Sequence, residues 1–465
     1  MLLIALDKRD PLPAYRQIAH KIQRLIETDV IGAGEILPPT RRLARQLNVS
    51  RYTVTCAYQE LWARGYLEST PGSYSRVRKR TERRGSAAGP SGHAGAPAKI
   101  IDLASYRLDQ RLFPMRDLRR ALHGASRDQN AALLHSADPQ GYLPLRETIA
   151  ARLRSHSIPA EPDSVLITNG AVHGLDLCFR LLAGEGGRII VEEPTFQTVL
   201  ALARQHGVTP VGVPLREDGV DVSVLKKRLG QRGLRFLFTI PTYHNPTGIT
   251  ASRECREGVL SLCAGRGLPI VEDSFEEEMS YFGGVILPLM SMDRSDGVLY
   301  LGTFSKVLFP GLRLGWVAAD PSRIRRLTEI RASSDDGGSA MIMAAMNELC
   351  VSGSYQKHLD LVNRTGATRM HAALAALSRY VPPDKATWTR PNGGFLIWLT
   401  LHGAATTEKE LHERLLSHGV DLKPGSAFFS SAPKRLHLRL CISAHEEEVL
   451  VEAIRRLGKA LEELG

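Results

Sequence analysis

The chain contains no run of about 18 apolar residues, the least that spans a bilayer as a helix, so no membrane segment is expected. Its six cysteines, Cys56, Cys178, Cys255, Cys263, Cys350 and Cys441, include no C-x-x-C pair. Scattered cysteines argue against a disulfide framework or a zinc site; reduced thiols in a cytosol, and no bound metal, are the expectation. The opening MLLIALDKRD is apolar for only six residues and has no basic stretch before them, so a secretory leader is not expected either. No internal repeat is present.

What remains is ordinary in bulk and uneven in detail. The 465 residues are 43% hydrophobic and 23% charged, enough for a large buried core and roughly two to four domains. Of the net charge of +11, +8 falls within residues 1–84, which hold 16 Lys and Arg against 8 Asp and Glu. A basic excess confined to one end favours a polyanionic partner. Residues 85–98, GSAAGPSGHAGAPA, follow a basic run and consist almost wholly of Gly, Ala, Ser and Pro. Such a segment cannot bury enough apolar area to order itself and reads as a linker. The expected domains are therefore 1–78, a linker over 79–99, and a large domain over 100–465 with a smaller C-terminal subdomain from about residue 350.

The first domain reads as three helices and a hairpin. PAYRQIAHKIQRLIETDVI places Ile18, Ile22, Leu25 and Ile26 on one helical stripe. PPTRRLARQLNV opens on a Pro-Pro-Thr start signal and turns Leu43, Ala44 and Leu47 inward. A third helix begins at Ser50 as N-cap and buries Val54, Ala57, Leu61 and Trp62. GYLESTPGSYSRV reads as two short strands about Pro71-Gly72. Two helices joined by a tight turn form a helix-turn-helix, whose second helix enters the major groove by its N-terminus. Ser50, Arg51, Tyr52 and Thr53 stand there, with an Arg and short polar groups suited to base edges. Arg41 and Arg42 suit phosphates. The stretch GAGEILPPTRRLARQLNVSRYTVTCAYQELWARGYLES resembles the winged helix-turn-helix of GntR-type transcription regulators. That resemblance implies further DNA contacts from the wing at Gly72 and Tyr74, although Gly-Ser-Tyr-Ser-Arg-Val departs from the family's usual wing turn.

From residue 165 onward, short β-branched strands alternate with helical segments: SVLITNG, GRIIVEEP, RFLFTIPTYHNPTG, LPIVEDSF and GVLYLGTFSK. This pattern predicts an α/β domain with a mostly parallel sheet and helices on both faces. Ligands in such sheets collect beyond the carboxyl ends of the strands, and the unusual polar residues stand at those ends. A confined lysine, Lys306, loses stability as a cation and offers a neutral amine that can form a Schiff base with an aldehyde. Asp273 can pair with a protonated ring nitrogen, Asn245 can donate to a ring oxygen, and Phe196 can stack on an aromatic ring. Thr303, Ser305, Arg313 and the backbone amides at Gly170-Ala171, opening a helix, can hold a phosphate dianion. The ligand that uses all of these features is pyridoxal 5′-phosphate.

The stretches YLPLRETIAARLR, ITNGAVHGLDL, YHNPTG, VEDSF, GTFSKVLFPGLRLGW and RLHLRLCIS resemble fold-type I, aspartate-aminotransferase-like enzymes. With the N-terminal domain and linker, the whole chain resembles MocR/GabR-type regulators. The resemblance implies a homodimer with head-to-tail, domain-swapped exchange. It also implies that Arg439 binds the α-carboxylate of an amino-acid-like ligand and that Val172 and Phe275 lie at the cofactor. Three positions depart from the family pattern. Phe275 stands where a Tyr hydroxyl usually helps Asn hold the ring oxygen, Val172 stands for a Gln, and Ser136 stands for an aromatic residue.

Three readings follow. The first is a regulator bound to a double-stranded DNA operator in the bacterial cytosol, at the nucleoid. An amino-acid or amine effector displaces Lys306 from the cofactor as an external aldimine, and closure of the large domain alters how the winged helices meet DNA. The second is a working aminotransferase with an accessory DNA-binding domain, in which Lys306 moves the substrate proton. The third is a DNA-binding scaffold that holds no cofactor. The basic winged helix favours the first over the second, leaving transaminase chemistry latent, and the Lys306, Asp273, Asn245 and Arg313 set disfavours the third.

Overall fold

The computed structural model describes residues 12–27, 31–32, 34–63, 66–68, 75–77, 100–127, 138–282, 286–335, 337–403 and 406–464. The expected linker, Gly72, Tyr74, Ser136 and the side chain of Trp62 lie outside the described residues. The chain divides into two compact units, residues 1–93 and 94–465.

In the first unit, helices α1 (Ala14–Glu27), α2 (Thr40–Leu47) and α3 (Arg51–Ala63) precede strands β1 (Leu67–Glu68) and β2 (Arg76–Val77). The predicted stripes meet in one core: Ile18, Ile22, Leu43, Ala44, Val54, Ala57 and Leu61 are buried together with Leu37, Leu67 and Val77. Asn48, at φ 51° and ψ 48°, ends α2 in the left-handed conformation, which Asn tolerates better than most residues. Ser50 Oγ then accepts the Thr53 backbone N–H at 3.1 Å, capping α3 as its sequence position predicts. The strands pair antiparallel, Leu67 opposite Val77, and Ile36 adds a bridge to Arg76.

The second unit begins with β3 (Ile101–Asp102), α4 (Met115–Arg127), α5 (Leu143–Ser155), β4 (Val165–Thr168) and α6 (Ala171–Leu182). It continues through β5 (Arg188–Glu193), α7 (Gln197–Gln205), β6 (Thr209–Arg216), β7 (Gly219–Val220), α8 (Val222–Arg228), β8 (Leu234–Thr239), α9 (Arg253–Ala264), β9 (Ile270–Asp273), α10 (Leu289–Met292), β10 (Val298–Thr303) and β11 (Gly315–Ala318). Strands β4 to β11 form an eight-stranded sheet in the order β4-β11-β10-β9-β8-β5-β6-β7. Neighbours from β10 to β6 run parallel, as expected. Strand β11 departs from the pattern and runs antiparallel between β10 and β4. The reason is length: the connection over 304–314 is shorter than the dozen or more residues a parallel crossover needs, so the chain folds straight back. Short β7 also pairs antiparallel at the edge.

Side chains alternate across this sheet with the strand period of two. Leu166, Leu299, Leu301 and Val317 pack with Leu175, Phe179 and Val199 on one face, against α6 and α7 and beside α11 (Pro321–Ala332). Val165, Ile167, Tyr300, Trp316 and Ala318 pack on the other face with α5 and with α12 (Ala340–Val351) and α13 (Ser354–Tyr380). Beyond α13 come β12 (Ala386–Trp388), β13 (Leu396–Leu401), α14 (Glu408–Ser417), β14 (Val420–Asp421), β15 (Lys423–Pro424), β16 (His437–Cys441) and α15 (Glu447–Glu462). Strands β12-β13-β16-β15 make a smaller antiparallel sheet. Strand β14 pairs with β3, so the first residues of the unit are tied to its last elements.

Candidate functional site

The sequence-predicted residues converge at the carboxyl ends of the parallel strands. A cavity of about 150 Å³ is lined by Ala171, Val172, Phe196, Asn245, Asp273, Phe275, Thr303, Ser305, Lys306 and Arg313, joined by Tyr106, Leu108 and Pro310. Asp273 ends β9 and Thr303 ends β10. Lys306 follows in the turn after β10, Asn245 lies beyond β8, Phe196 caps α7 after β5, and Gly170 caps α6 after β4.

One end of the cavity suits a dianion. The amides of α6 open there, at the positive end of a 12-residue helix. Gly170 has φ +87°, and a Cβ on it would lie 2.8 Å from Arg313 Nη2, so a side chain there would collide with the arginine. Arg313 donates to the Asn169 carbonyl at 3.2 Å. Thr303 donates its hydroxyl to the Leu314 carbonyl at 3.0 Å and accepts the Ser305 N–H at 3.1 Å, which shapes the turn that carries Lys306. Ser305 Oγ is buried without a partner.

The other end suits a polar aromatic ring. Asp273 is buried, its Oδ1 has no hydrogen-bond partner, and burial pushes its carboxyl up to about 7, against the pull of the Lys306 cation and the Phe275 amide. An orphaned carboxylate oxygen of this kind needs a cationic or N–H partner. Burial likewise lowers the Lys306 pKa; Glu276, Cys441 and Asp273 oppose this, and Arg439 adds to it. Arg439 donates to Asn245 Oδ1 at 3.2 Å and to the Ala104 carbonyl at 2.9 Å, while its Nε is buried without a partner. With the Asn245 oxygen so engaged, the amide NH₂ is the group left for a ligand oxygen. Phe275 has no hydroxyl, and its ring meets Tyr106 edge-on with centroids 6.4 Å apart.

Tyr106 and Glu276 escaped the sequence reading. The Tyr106 ring centroid lies 3.7 Å from Lys306 Nζ, and its hydroxyl donates to Glu276. Glu276 belongs to the run Glu276-Glu277-Glu278, which looks like a solvated acidic face. Instead Glu276 is buried and pushed up to about 8 by burial, Glu277 accepts from Tyr300 at 2.7 Å, and Glu278 pairs with Arg152. No local signal marks these contacts, because Tyr106 is 170 residues from Glu276.

In the first unit, Arg41 and Arg42 are exposed in the first turn of α2. Ser50, Arg51 and Tyr52 are exposed at the start of α3, with Tyr52 77% accessible, and Thr53 is half-buried beside them. Among the described residues, no helix is long and apolar enough to cross a membrane.

Fold and pocket together define a class: a helix-turn-helix unit carried on a chain whose larger unit has aminotransferase architecture. Residues 98–457 match the family aminotransferase class I and II, and residues 14–77 match the bacterial regulatory proteins of the gntR family. The chain is 30% identical to the uncharacterized HTH-type transcriptional regulator YdfD of Bacillus subtilis, over 98% of each protein. It is 26% identical to the probable rhizopine catabolism regulatory protein MocR of Rhizobium meliloti, over 98% of this chain and 96% of that protein. The crystal structure of Pyrococcus horikoshii kynurenine aminotransferase, solved in complex with PMP, superposes with a TM-score of 0.75 at 29% identity, over 79% of this chain and 91% of that one. The chain therefore belongs to the aminotransferase class I and II family and, through its gntR-family segment, to the MocR/GabR-type HTH transcription regulators.

Proposed function

We propose that this regulator holds pyridoxal 5′-phosphate in the cavity at Lys306 and responds there to an amino-acid or amine effector, changing its grip on an operator. The observation that carries the reading is the buried pair of Lys306 and Asp273, the latter with Oδ1 unpartnered, in a cavity that also presents Arg313 and the start of α6. When bound, the cofactor supplies an aldehyde that links reversibly to primary amines. Lys306 offers the resident amine, whose hold on its proton burial weakens. Asp273 holds the proton of the ring nitrogen. Arg313, Ser305 and the amides at Gly170-Ala171 bind the phosphate, with Thr303 holding their turn. Phe196 stacks on the ring, and Asn245 donates to its oxygen. Val172 and Phe275 close the walls. Arg439, whose Nε is unpaired, takes the carboxylate of the effector.

Ser50, Arg51, Tyr52 and Thr53 read the operator, while Arg41 and Arg42 hold its backbone. The chain acts as a head-to-tail homodimer in the cytoplasm, with 1–78 as its DNA-binding domain, 79–99 as linker and 100–465 as its effector domain. The test is fluorescence anisotropy with DNA from upstream of the protein's own gene. Wild-type affinity shifts when an effector amine is added, and the Lys306→Ala variant binds DNA without that shift. An unchanged wild-type affinity across a panel of amines and amino acids would contradict the proposal.

A second reading, a working aminotransferase, draws on the likeness to the kynurenine aminotransferase. The absent hydroxyl at Phe275 weighs against it. Turnover with a keto-acid acceptor at about 1 per second or faster would establish it.

A further inference from the structure

The ground next to the Lys306 amine is already taken. The Tyr106 ring centroid lies 3.7 Å from Nζ, which is van der Waals contact. Two aromatic edges brace this ring, Phe275 at 6.4 Å and Phe395 at 6.0 Å. Its hydroxyl is tied to buried Glu276.

The backbone around Tyr106 is pinned on both sides, so the ring cannot swing away as part of a loose loop. Before it, Asp102 Oδ1 accepts the Ala104 and Ser105 N–H groups at 3.0 and 2.9 Å, and the Ala104 carbonyl accepts from Arg439. After it, the Arg107 carbonyl accepts from Ser443, and the buried Asp109 carboxylate is held by Arg369 at 2.6 Å and Arg111 at 2.8 Å.

Position points the same way. Tyr106 lines the same cavity as Lys306, Asp273 and Phe196. An amine whose nitrogen takes the place of Nζ puts its α-carbon about 1.5 Å from that point and the next carbons about 2.5 Å away. A larger side chain directed toward Tyr106 then runs into its ring.

We propose that Tyr106 is the specificity-determining residue of this pocket, restricting the effector to small primary amines and amino acids with short side chains. The inference rests on the cofactor-and-effector reading above and narrows it to a ligand class.

The test uses full-length protein loaded with pyridoxal 5′-phosphate. The visible band of the bound cofactor is followed during titration with glycine, alanine, leucine and phenylalanine, which reads binding rather than turnover. Wild type binds alanine at least about 10-fold more tightly than phenylalanine. Tyr106→Phe, which keeps the ring, retains that preference; Tyr106→Ala and Tyr106→Gly bring the ratio close to one or reverse it. Phenylalanine binding to wild type as tightly as alanine overturns the proposal whatever the variants do. An unchanged ratio in a well-folded Tyr106→Ala overturns it too. A normal cofactor band without size preference sinks this gate alone, whereas absence of any band in wild type sinks the cofactor reading and the gate with it.

Discussion

Asp273→Asn should stabilise the cofactor-free protein at pH 8 while abolishing its response to the cofactor. The carboxyl is 4% exposed, has an unpartnered oxygen, and is pushed by burial from 3.8 to about 7. A raised folded value means that the folded chain holds this proton more tightly than the unfolded chain does. The resulting stability is complete below about pH 3.8 and is lost as pH rises to about 7, where the folded protein must carry the charge. A tenfold difference in proton affinity between folded and unfolded chain is worth about 1.4 kcal/mol, so wild type loses about 3 kcal/mol between pH 4.5 and pH 8 that the Asn variant keeps. Glu276, pushed up to about 8 by burial, titrates nearby in both proteins, so the prediction concerns the difference between them. Urea unfolding of the large unit at the two pH values measures the difference. Pyridoxal 5′-phosphate should then raise the wild-type midpoint at pH 8 and leave that of Asp273→Asn nearly unmoved. A variant less stable than wild type by the same amount at both pH values would refute the argument that Asp273 is a desolvated carboxylate awaiting a cationic partner.

Arg313→Ala removes a side-chain cation placed at the Gly170 end of the cavity and should weaken cofactor affinity on the order of 10- to 100-fold, read by fluorescence titration. Arg51→Ala should lower the preference for operator over unrelated DNA by about 1–3 kcal/mol, whereas Arg42→Ala should weaken both equally and flatten the salt dependence. Leu61→Ala, at a fully buried position of α3, should cost about 2–5 kcal/mol and depress the unfolding transition of the N-terminal unit, checked by calorimetry.

Legibility of this chain followed sequence distance. The cap at Ser50 and the core stripes of α1 and α2 depend on neighbours within a few residues, and helical period alone exposes them. Asp273, Thr303 and Lys306 were readable because each ends or closely follows a short apolar strand, and a strand's end is a local feature. The reversal of β11 was not foreseen, although the short span of 304–314 contains its cause. Tyr106 and Glu276 gave no hint at all. One sits in an irregular segment and the other in an acidic run, and long-range contacts, among them β3 to β14, Ala104 to Arg439 and Arg107 to Ser443, bring that segment over Lys306. Contacts spanning the chain from residue 104 to residue 439 leave no periodic trace in either partner.

The central claim is that the Lys306 side chain is the covalent anchor of a pyridoxal cofactor. Borohydride reduction of the protein as purified with pyridoxal 5′-phosphate, followed by proteolysis and mass mapping, tests it directly. The account predicts a pyridoxyl adduct on the peptide carrying Lys306, lost in Lys306→Ala; an unmodified Lys306 peptide, or the adduct on another lysine, would contradict it.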